Sequence, residues 1–245
     1  ELQGDGEDPC QRETKLALRK YQEFITKFMD FKGPYKNILL YHGMGSGKTI
    51  TSINVYNMLY NYTPDWNMFI LCPASLHPTW DDELLRHKLG LSENEKKHRF
   101  SNIKFIHYDS PFAHKKFLEA INESDSSKKN IFIFDEVHNF INNVYNNIIS
   151  KTGQRAYLIY DYIIQAKLEN DNIRCMLLTG TPAINNPFEL ALLFNLLRPN
   201  TFPNSEVKFM EKYVENNRLR SDKVNMFQRR IMGLVSYYGA KSKLL

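Results

Sequence analysis

Short, unbroken apolar runs recur along this chain at 38–41, 68–72, 103–107, 131–134 and 175–178, each separated from the next by a segment with helical spacing. Runs without polar alternation suit strands buried on both faces, and their alternation with helices predicts a parallel sheet with crossover helices. The expected fold class is therefore α/β, a doubly wound, mainly parallel sheet. Ahead of the first run, Ala17, Tyr21, Phe24, Ile25 and Phe28 predict an amphipathic helix within 12–31, which Gly33-Pro34 stops. Ser110-Pro111 and the pair Ser92/Glu95 read as helix starts, and 124–129 reads as a polar connector. Beyond Pro199 the alternation stops. Helix-like stretches at 206–219 and 223–234 predict a C-terminal helical appendage with no further strand. The expected organisation is a flexible, extraneous N-terminal segment over 1–11, a lobe over 12–199 and a helical extension over 200–245.

Composition agrees with a packed domain. The 245 residues are 42% hydrophobic and 24% charged, which argues against wholesale disorder. No apolar run approaches the ~20 residues of a membrane helix, and the acidic start ELQGDGEDPC is unlike a signal peptide, so neither a membrane partner nor secretion is expected. Cys10, Cys72 and Cys175 lack the close spacing of a zinc or redox site and fit a reducing compartment. The formal net charge of +5 is matched by the stretch from Glu206 onward, where nine Lys/Arg face four acids. That stretch reads as a solvated helical face or as a phosphate-facing surface. The chain has no initiator methionine and stops at KSKLL without a cap signal, so it reads as a piece of a longer protein.

The chemistry-bearing residues follow the predicted strands. After the first run comes His42-Gly43-Met44-Gly45-Ser46-Gly47-Lys48-Thr49 and then a helix. Glycines between a strand and a helix let backbone N–H groups and the helix N-terminus face a phosphate chain. Lys48 then reaches the outer phosphates and Thr49 holds magnesium. His42 departs from the generic P-loop, which has glycine at that position. The fourth run ends in Asp135-Glu136-Val137-His138. Carboxylates at the C-terminal end of a buried parallel strand sit where open α/β sheets bind ligands. Asp135 is the expected magnesium ligand, through water, and Glu136 the base that orients and deprotonates water. The fifth run ends in Thr179-Gly180-Thr181-Pro182, hydroxyls placed to sense the phosphate site. His42, His77 and His107 lack metal-ligand spacing and read as structural or exposed.

Taken together, GMGSGKT, DEVH and TGTP in this order resemble motifs I, II and III of superfamily 2 helicases. Leu18-Arg19-Lys20-Tyr21-Gln22 resembles the family segment whose glutamine reads adenine. The stretch Leu71-Cys72-Pro73-Ala74-Ser75-Leu76, with Trp80 and Glu83, resembles motif Ia of Swi/Snf-type translocases. The likeness is strongest to the branch found in large cytoplasmic DNA viruses, where the segment Arg230–Tyr238 has its counterpart after the first lobe.

The resemblance implies a RecA-like P-loop NTPase lobe, with ATP and Mg2+ as cofactors and Gln22 with the 43–49 loop at the nucleotide. It implies His138, Thr179, Gly180 and Thr181 as coupling residues. Pro73, Ala74, Ser75, Trp80 and Tyr108 are implied near a nucleic acid, expected to be duplex DNA, with the neighbouring His107 and Asp109, although an aromatic in a strand-to-helix connection, as Trp80 is, more often serves packing. It also implies a second RecA-like lobe supplying motifs V and VI, including an arginine finger, so this lobe alone should bind nucleotide weakly and hydrolyse it poorly. A role in viral transcription, beside a viral RNA polymerase or another transcription factor subunit, places the protein in the virion and the host cytoplasm. Two other readings share the P-loop: a promoter-binding subunit whose DNA affinity is switched by ATP, and a nucleotide kinase, which DEVH and TGTP argue against.

Overall fold

The computed structural model describes residues 18–88, 91–151, 153–181 and 185–239. The strands are β1 (Asn37–His42), β2 (Trp66–Cys72), β3 (Ile103–His107), β4 (Lys129–Phe134), β5 (Ile173–Thr179), the short β6 (Val214–Glu215) and β7 (Arg218–Leu219), and β8 (Val235–Tyr238). The helices are α1 (Lys20–Phe28), α2 (Lys48–Tyr62), α3 (His77–Lys88), α4 (Glu93–Phe100), α5 (Ala113–Glu123), α6 (Val137–Ser150), α7 (Arg155–Glu169), α8 (Phe188–Leu197), α9 (Glu206–Tyr213) and α10 (Val224–Ile231). Six strands form one sheet in the order β3-β2-β4-β5-β1-β8, and every pairing in it is parallel.

The central apolar runs become strands because they bury both faces, whereas β3 at the sheet edge is mostly half-buried. Every residue of β2 and of β5 is buried. Alternate side chains then supply two separate cores. Ile38, Leu40, Met68, Ile70, Ile131, Ile133, Met176 and Leu178 pack with Ile25 of α1, Ile53 and Leu59 of α2 and Trp80 and Leu84 of α3. Leu39, Phe69, Leu71, Phe132, Phe134, Cys175 and Leu177 pack with residues of α5 through α10 on the other face. Cys72 and Cys175 are buried free thiols, one in each layer. Cys10 lies outside the described residues.

Arg174, the second residue of β5, is a charged exception in this apolar sheet. Its guanidinium donates to the carbonyls of Met29 (2.9 Å), Tyr35 (3.1 Å), Asp30 (3.4 Å) and Phe31 (3.2 Å). The last carbonyls of a helix have no intrahelical donor, and Arg174 supplies one to the chain leaving α1 toward β1.

Several boundaries differ from the sequence expectation. The first described helix covers 20–28, and the start of the expected 12–31 segment lies outside the described residues. Ser110 does not cap α5: its Oγ accepts from the N–H of Phe112 (3.2 Å), closing a turn, and the helix begins only at Ala113. The box of Ser92 and Glu95 is formed in both directions, with Ser92 N–H donating to Glu95 Oε2 (2.9 Å) and Glu95 N–H to Ser92 Oγ (3.3 Å).

The largest difference lies beyond Pro199. Both helices exist, but they are shorter than expected and strands accompany them. Asn216 and Asn217 take left-handed backbone (φ 50 and 57), the two-residue hairpin conformation that asparagine tolerates, and they end the first helical stretch in the β6–β7 hairpin. Gly233 (φ 77) then turns the chain after α10 into β8, which pairs with β1 from Leu39↔Val235 to His42↔Tyr238. This stretch also belongs to the core. Phe202, Phe209, Tyr213 and Phe227 are buried in the same cluster as α8, and Phe202 stacks on Phe227 at 4.8 Å.

Replacing Arg174 by methionine keeps most of the volume and removes the guanidinium donor from the carbonyls of Met29, Phe31 and Tyr35, while the Asp30 carbonyl keeps the Gly33 N–H. The expected loss is about 3 kcal/mol of unfolding free energy, since unsatisfied buried polar groups cost roughly 1–3 kcal/mol each. Urea denaturation of both proteins measures it; an unchanged midpoint would show that solvent replaces the guanidinium at no cost.

Candidate active site at the strand ends

Parallel pairing brings the C-terminal ends of all six sheet strands to one edge, where open α/β sheets bind ligands. The edge carries, in spatial order, the C-terminal ends of β3, β2, β4, β5, β1 and β8.

The glycine loop follows β1 and ends at Lys48, the first residue of α2. Gly45 (φ 70) and Gly47 (φ 75) take left-handed backbone, which strains any residue with a Cβ. Gly47 also sits against Gln22, whose Nε2 would lie 2.6 Å from a Cβ there. Lys48 Nζ donates to the carbonyls of His42 (3.0 Å) and Gly43 (3.4 Å), so its amine lies over the loop it belongs to. Gly180 approaches from β5, close enough that a Cβ would touch Lys48 Nζ and Met44 Cγ at 3.6 Å each. Met44 is almost wholly exposed, and Ser46 Oγ is buried without a protein partner. Thr49 occupies the first turn of α2.

Gln22, expected near adenine, is buried against this loop. Its Nε2 faces the carbonyls of Ser46 and Gly47 at 3.4 Å, and its Oε1 accepts from Arg19 N–H at 2.8 Å. Its neighbour Tyr21, which the sequence places on the apolar face of the first helix without a role at the loop, donates its hydroxyl to the Ser46 carbonyl and stacks on Tyr238 at the end of β8 (4.2 Å between centroids). The signal was present, since Tyr21 stands beside the expected glutamine.

Asp135 and Glu136 follow β4. Asp135 is buried, with Oδ2 accepting from the indole N–H of Trp80 (2.9 Å) and Oδ1 from the backbone N–H of Glu136 (3.0 Å). Burial raises its pKa; the Trp80 and Glu136 hydrogen bonds and the Lys48 charge oppose that rise, while the Glu136 carboxylate adds to it. Glu136 has left-handed backbone (φ 47, ψ 50) where β4 turns into α6, a strained conformation for a side chain of this kind. Its carboxylate stays partly exposed, with Oε2 3.3 Å from His138 Nδ1.

His138 joins the second and third segments. Its Nδ1 lies 3.0 Å from Thr179 Oγ1, and that hydroxyl donates its proton to the Thr181 carbonyl at 2.8 Å. The hydroxyl is thereby an acceptor toward His138, so Nδ1 carries the proton. Pro182, the last residue of the third segment, lies outside the described residues. A buried carboxylate, a lysine amine and a helix-terminal hydroxyl around a left-handed glycine loop form a donor set that fits a magnesium-bound triphosphate.

Two of the residues expected at a nucleic acid are corrected by their burial. Trp80 and Tyr108 point inward. Trp80 holds the Asp135 carboxylate, and the Tyr108 hydroxyl donates to the carbonyls of Asp135 (2.9 Å) and Glu136 (3.0 Å). For Trp80 the burial favours the packing reading that the sequence also offered, whereas Tyr108, which directly follows β3, carried no sign of the direction in which it points. Ala74 and Ser75 are exposed and Pro73 partly so, and the Ala74 N–H points at the Asp109 carboxylate (3.3 Å to Oδ2). His77 Nδ1 and His107 Nε2 are 2.9 Å apart, and no metal-binding group of three or more His, Cys, Asp or Glu exists among the described residues. No helix among the described residues is long and apolar enough to cross a membrane.

The chain matches the model of the SNF2-related domain over residues 21–232. It is 51% identical to a protein of Acanthamoeba polyphaga mimivirus provisionally named an ATP-dependent RNA helicase, over 97% of this chain and 30% of that protein. It is 31% identical to a termination factor NPH-I homologue of African swine fever virus, over 93% of this chain and 33% of the relative. It is 30% identical to nucleoside triphosphatase I of Melanoplus sanguinipes entomopoxvirus, over 84% and 30%. The chain thus spans about a third of these relatives' length. Among solved structures, the Sulfolobus solfataricus SWI2/SNF2 ATPase core in complex with dsDNA shares the fold, with a TM-score of 0.63 at 20% identity over 94% of this chain and 46% of that one.

His42, in the position the generic P-loop gives to glycine, is fully buried and pairs Nε2 with Ser236 Oγ of β8 at 2.9 Å. Burial, with the Lys48 charge, lowers its pKa from 6.5 to about 4. The unfolded chain therefore takes the proton first as the medium acidifies. The contribution is intact above pH 6.5 and is lost as pH falls toward 4, a difference of up to about 3 kcal/mol. Melts at pH 7 and pH 5 should show a smaller acid loss for His42→Gln than for the parent protein. Comparing the two proteins separates this group from His107, whose pKa burial also lowers; parallel losses would dismiss the assignment.

Proposed function

Because the chain belongs to the SNF2-related domain family, we propose that it is the first nucleotide-binding lobe of an ATP-driven motor acting on nucleic acid. The observation that carries this reading is the meeting of Lys48, Asp135, Glu136 and Thr179 at the adjacent ends of β1, β4 and β5. In this reading the N–H groups of 43–47 and the Lys48 amine hold the phosphates. Thr49 and Asp135, the latter through water, would hold a magnesium ion, which would supply positive charge beside the transferring phosphate. Glu136, partly exposed and braced by His138, orients a water and accepts its proton. The His138–Thr179 bond carries the state of this site to the loop that follows β5.

The same reading assigns the exposed Pro73, Ala74 and Ser75 to the sugar-phosphate backbone of duplex DNA. The second RecA-like lobe completes the site with an arginine finger, worth about 10³–10⁵ in rate in phosphoryl transfer. This lobe alone then binds nucleotide weakly and turns it over slowly. The names of the viral relatives favour work in viral transcription, with a polymerase or factor subunit as partner, in the virion and the infected cytoplasm.

The decisive measurement is phosphate release from ATP with magnesium, with and without duplex DNA or RNA, for this lobe and for the full-length protein. The expected result is a nearly silent lobe and a DNA-stimulated full-length protein that Lys48→Ala silences. A full-length protein indifferent to nucleic acid would remove the motor reading. Glu136→Gln, which keeps the phosphate contacts, should lower turnover by at least about 10²-fold, the lower range for a general base. If that variant retained ATP-dependent promoter binding and function, a DNA-affinity switch would replace stepping.

A further inference from the structure

We propose that Trp80 and Tyr108 are positioning residues that couple the exposed 73–75 loop to Asp135 and Glu136, so that an occupant of that loop alters the hydrolytic site. The proposal rests on the reading of this chain as a motor lobe. Residues 74–80 and 107–109 behave as one braced piece. The carboxylate of Asp109 faces the Ala74 N–H, and His77 meets His107 at 2.9 Å. His77 also stacks on Phe105 of β3 at 3.9 Å and opens α3, so the loop, the helix and the strand end are fastened together.

This piece has two outputs, and both reach the same dipeptide from opposite faces of the sheet. Trp80 belongs to the core beside α1–α3 and gives its indole N–H to the Asp135 side chain. Tyr108 belongs to the core beside α5–α10 and gives its hydroxyl to the Asp135 and Glu136 carbonyls. Packing alone asks only for apolar volume at these positions. It does not explain two buried donors aimed at one dipeptide, and paired donors of this kind fix orientation. The peptide they hold needs fixing, because Glu136 has left-handed backbone; its carbonyl also accepts from the Asn139 N–H at 3.0 Å. A displacement of the exposed loop therefore ends at the carboxylate and at the strained peptide beside it.

The test uses the full-length protein and the variants Tyr108→Phe and Trp80→Phe, which delete the donors and keep most of the volume. Four quantities are read: melting temperature, magnesium-dependent binding of a fluorescent ADP analogue, duplex DNA affinity, and the ratio of DNA-stimulated to basal ATP turnover. The expected result is unchanged DNA affinity with a fall of at least about fivefold in the ratio, the lower range of a coupling free energy between sites. A purely structural role lowers the melting temperature and moves both rates together, leaving the ratio in place, and that result overturns the proposal. Lower DNA affinity in step with the ratio also overturns it, because the residues would then be contacts. If Trp80→Phe fails to fold, Tyr108→Phe decides. If the parent protein shows no DNA stimulation, the motor reading fails and takes this proposal with it; a stimulated parent with an unaffected variant ratio removes the proposal alone.

Discussion

Parallel hydrogen bonding of the six-stranded sheet is the constraint on which the other features depend. A parallel pair admits no tight turn, so each connection must cross a face of the sheet, and the faces become covered by helices. The central strands are thereby buried on both sides, which is why β2 and β5 carry no exposed residue. The same rule places every C-terminal strand end on one edge. A lysine after β1, two carboxylates after β4 and a threonine ending β5 become neighbours although long stretches of sequence separate them.

At that edge the protein keeps a carboxylate out of water and a peptide in left-handed backbone, both of which are costly. The cost at Asp135 is offset by the Trp80 indole and a backbone N–H, and the peptide at Glu136 is held through its carbonyl by Tyr108 and Asn139. The glycine loop is braced in the same manner from outside, by Tyr21, Gln22 and the Ser236–His42 pair. The site's rigidity thus comes from aromatic and histidine side chains beneath the chemistry-bearing residues.

Much of the sheet was legible because a doubly buried strand has a compositional signature. The five expected strands appear with their ends shifted by at most two residues, as at Trp66 and Ile173. The strand-end positions of the glycine loop and the carboxylate pair were legible for a different reason: both motifs directly follow apolar runs, so that placing the strands places them. Tyr108 was placed at the surface, and Trp80 left between contact and packing, because an aromatic in a strand-to-helix connection carries no mark of the direction in which it points. β8 escaped notice because an edge strand needs only one neighbour; Val-Ser-Tyr-Tyr is short, half exposed and mixed in polarity. The β6–β7 hairpin was hidden by the helical spacing of its surroundings, although Asn216-Asn217 is a turn signal.

The place of β8 also sets an order of events during synthesis. The strand that closes the sheet beside the phosphate loop is the last of its strands to be translated, and the His42–Ser236 pair spans 194 residues. While the ribosome is still making α8, the β1 edge and the loop after it lack their neighbour, and Tyr21 lacks the ring it stacks on. The glycine loop therefore gains the neighbours on its β8 side only once the last strand of the sheet has been translated.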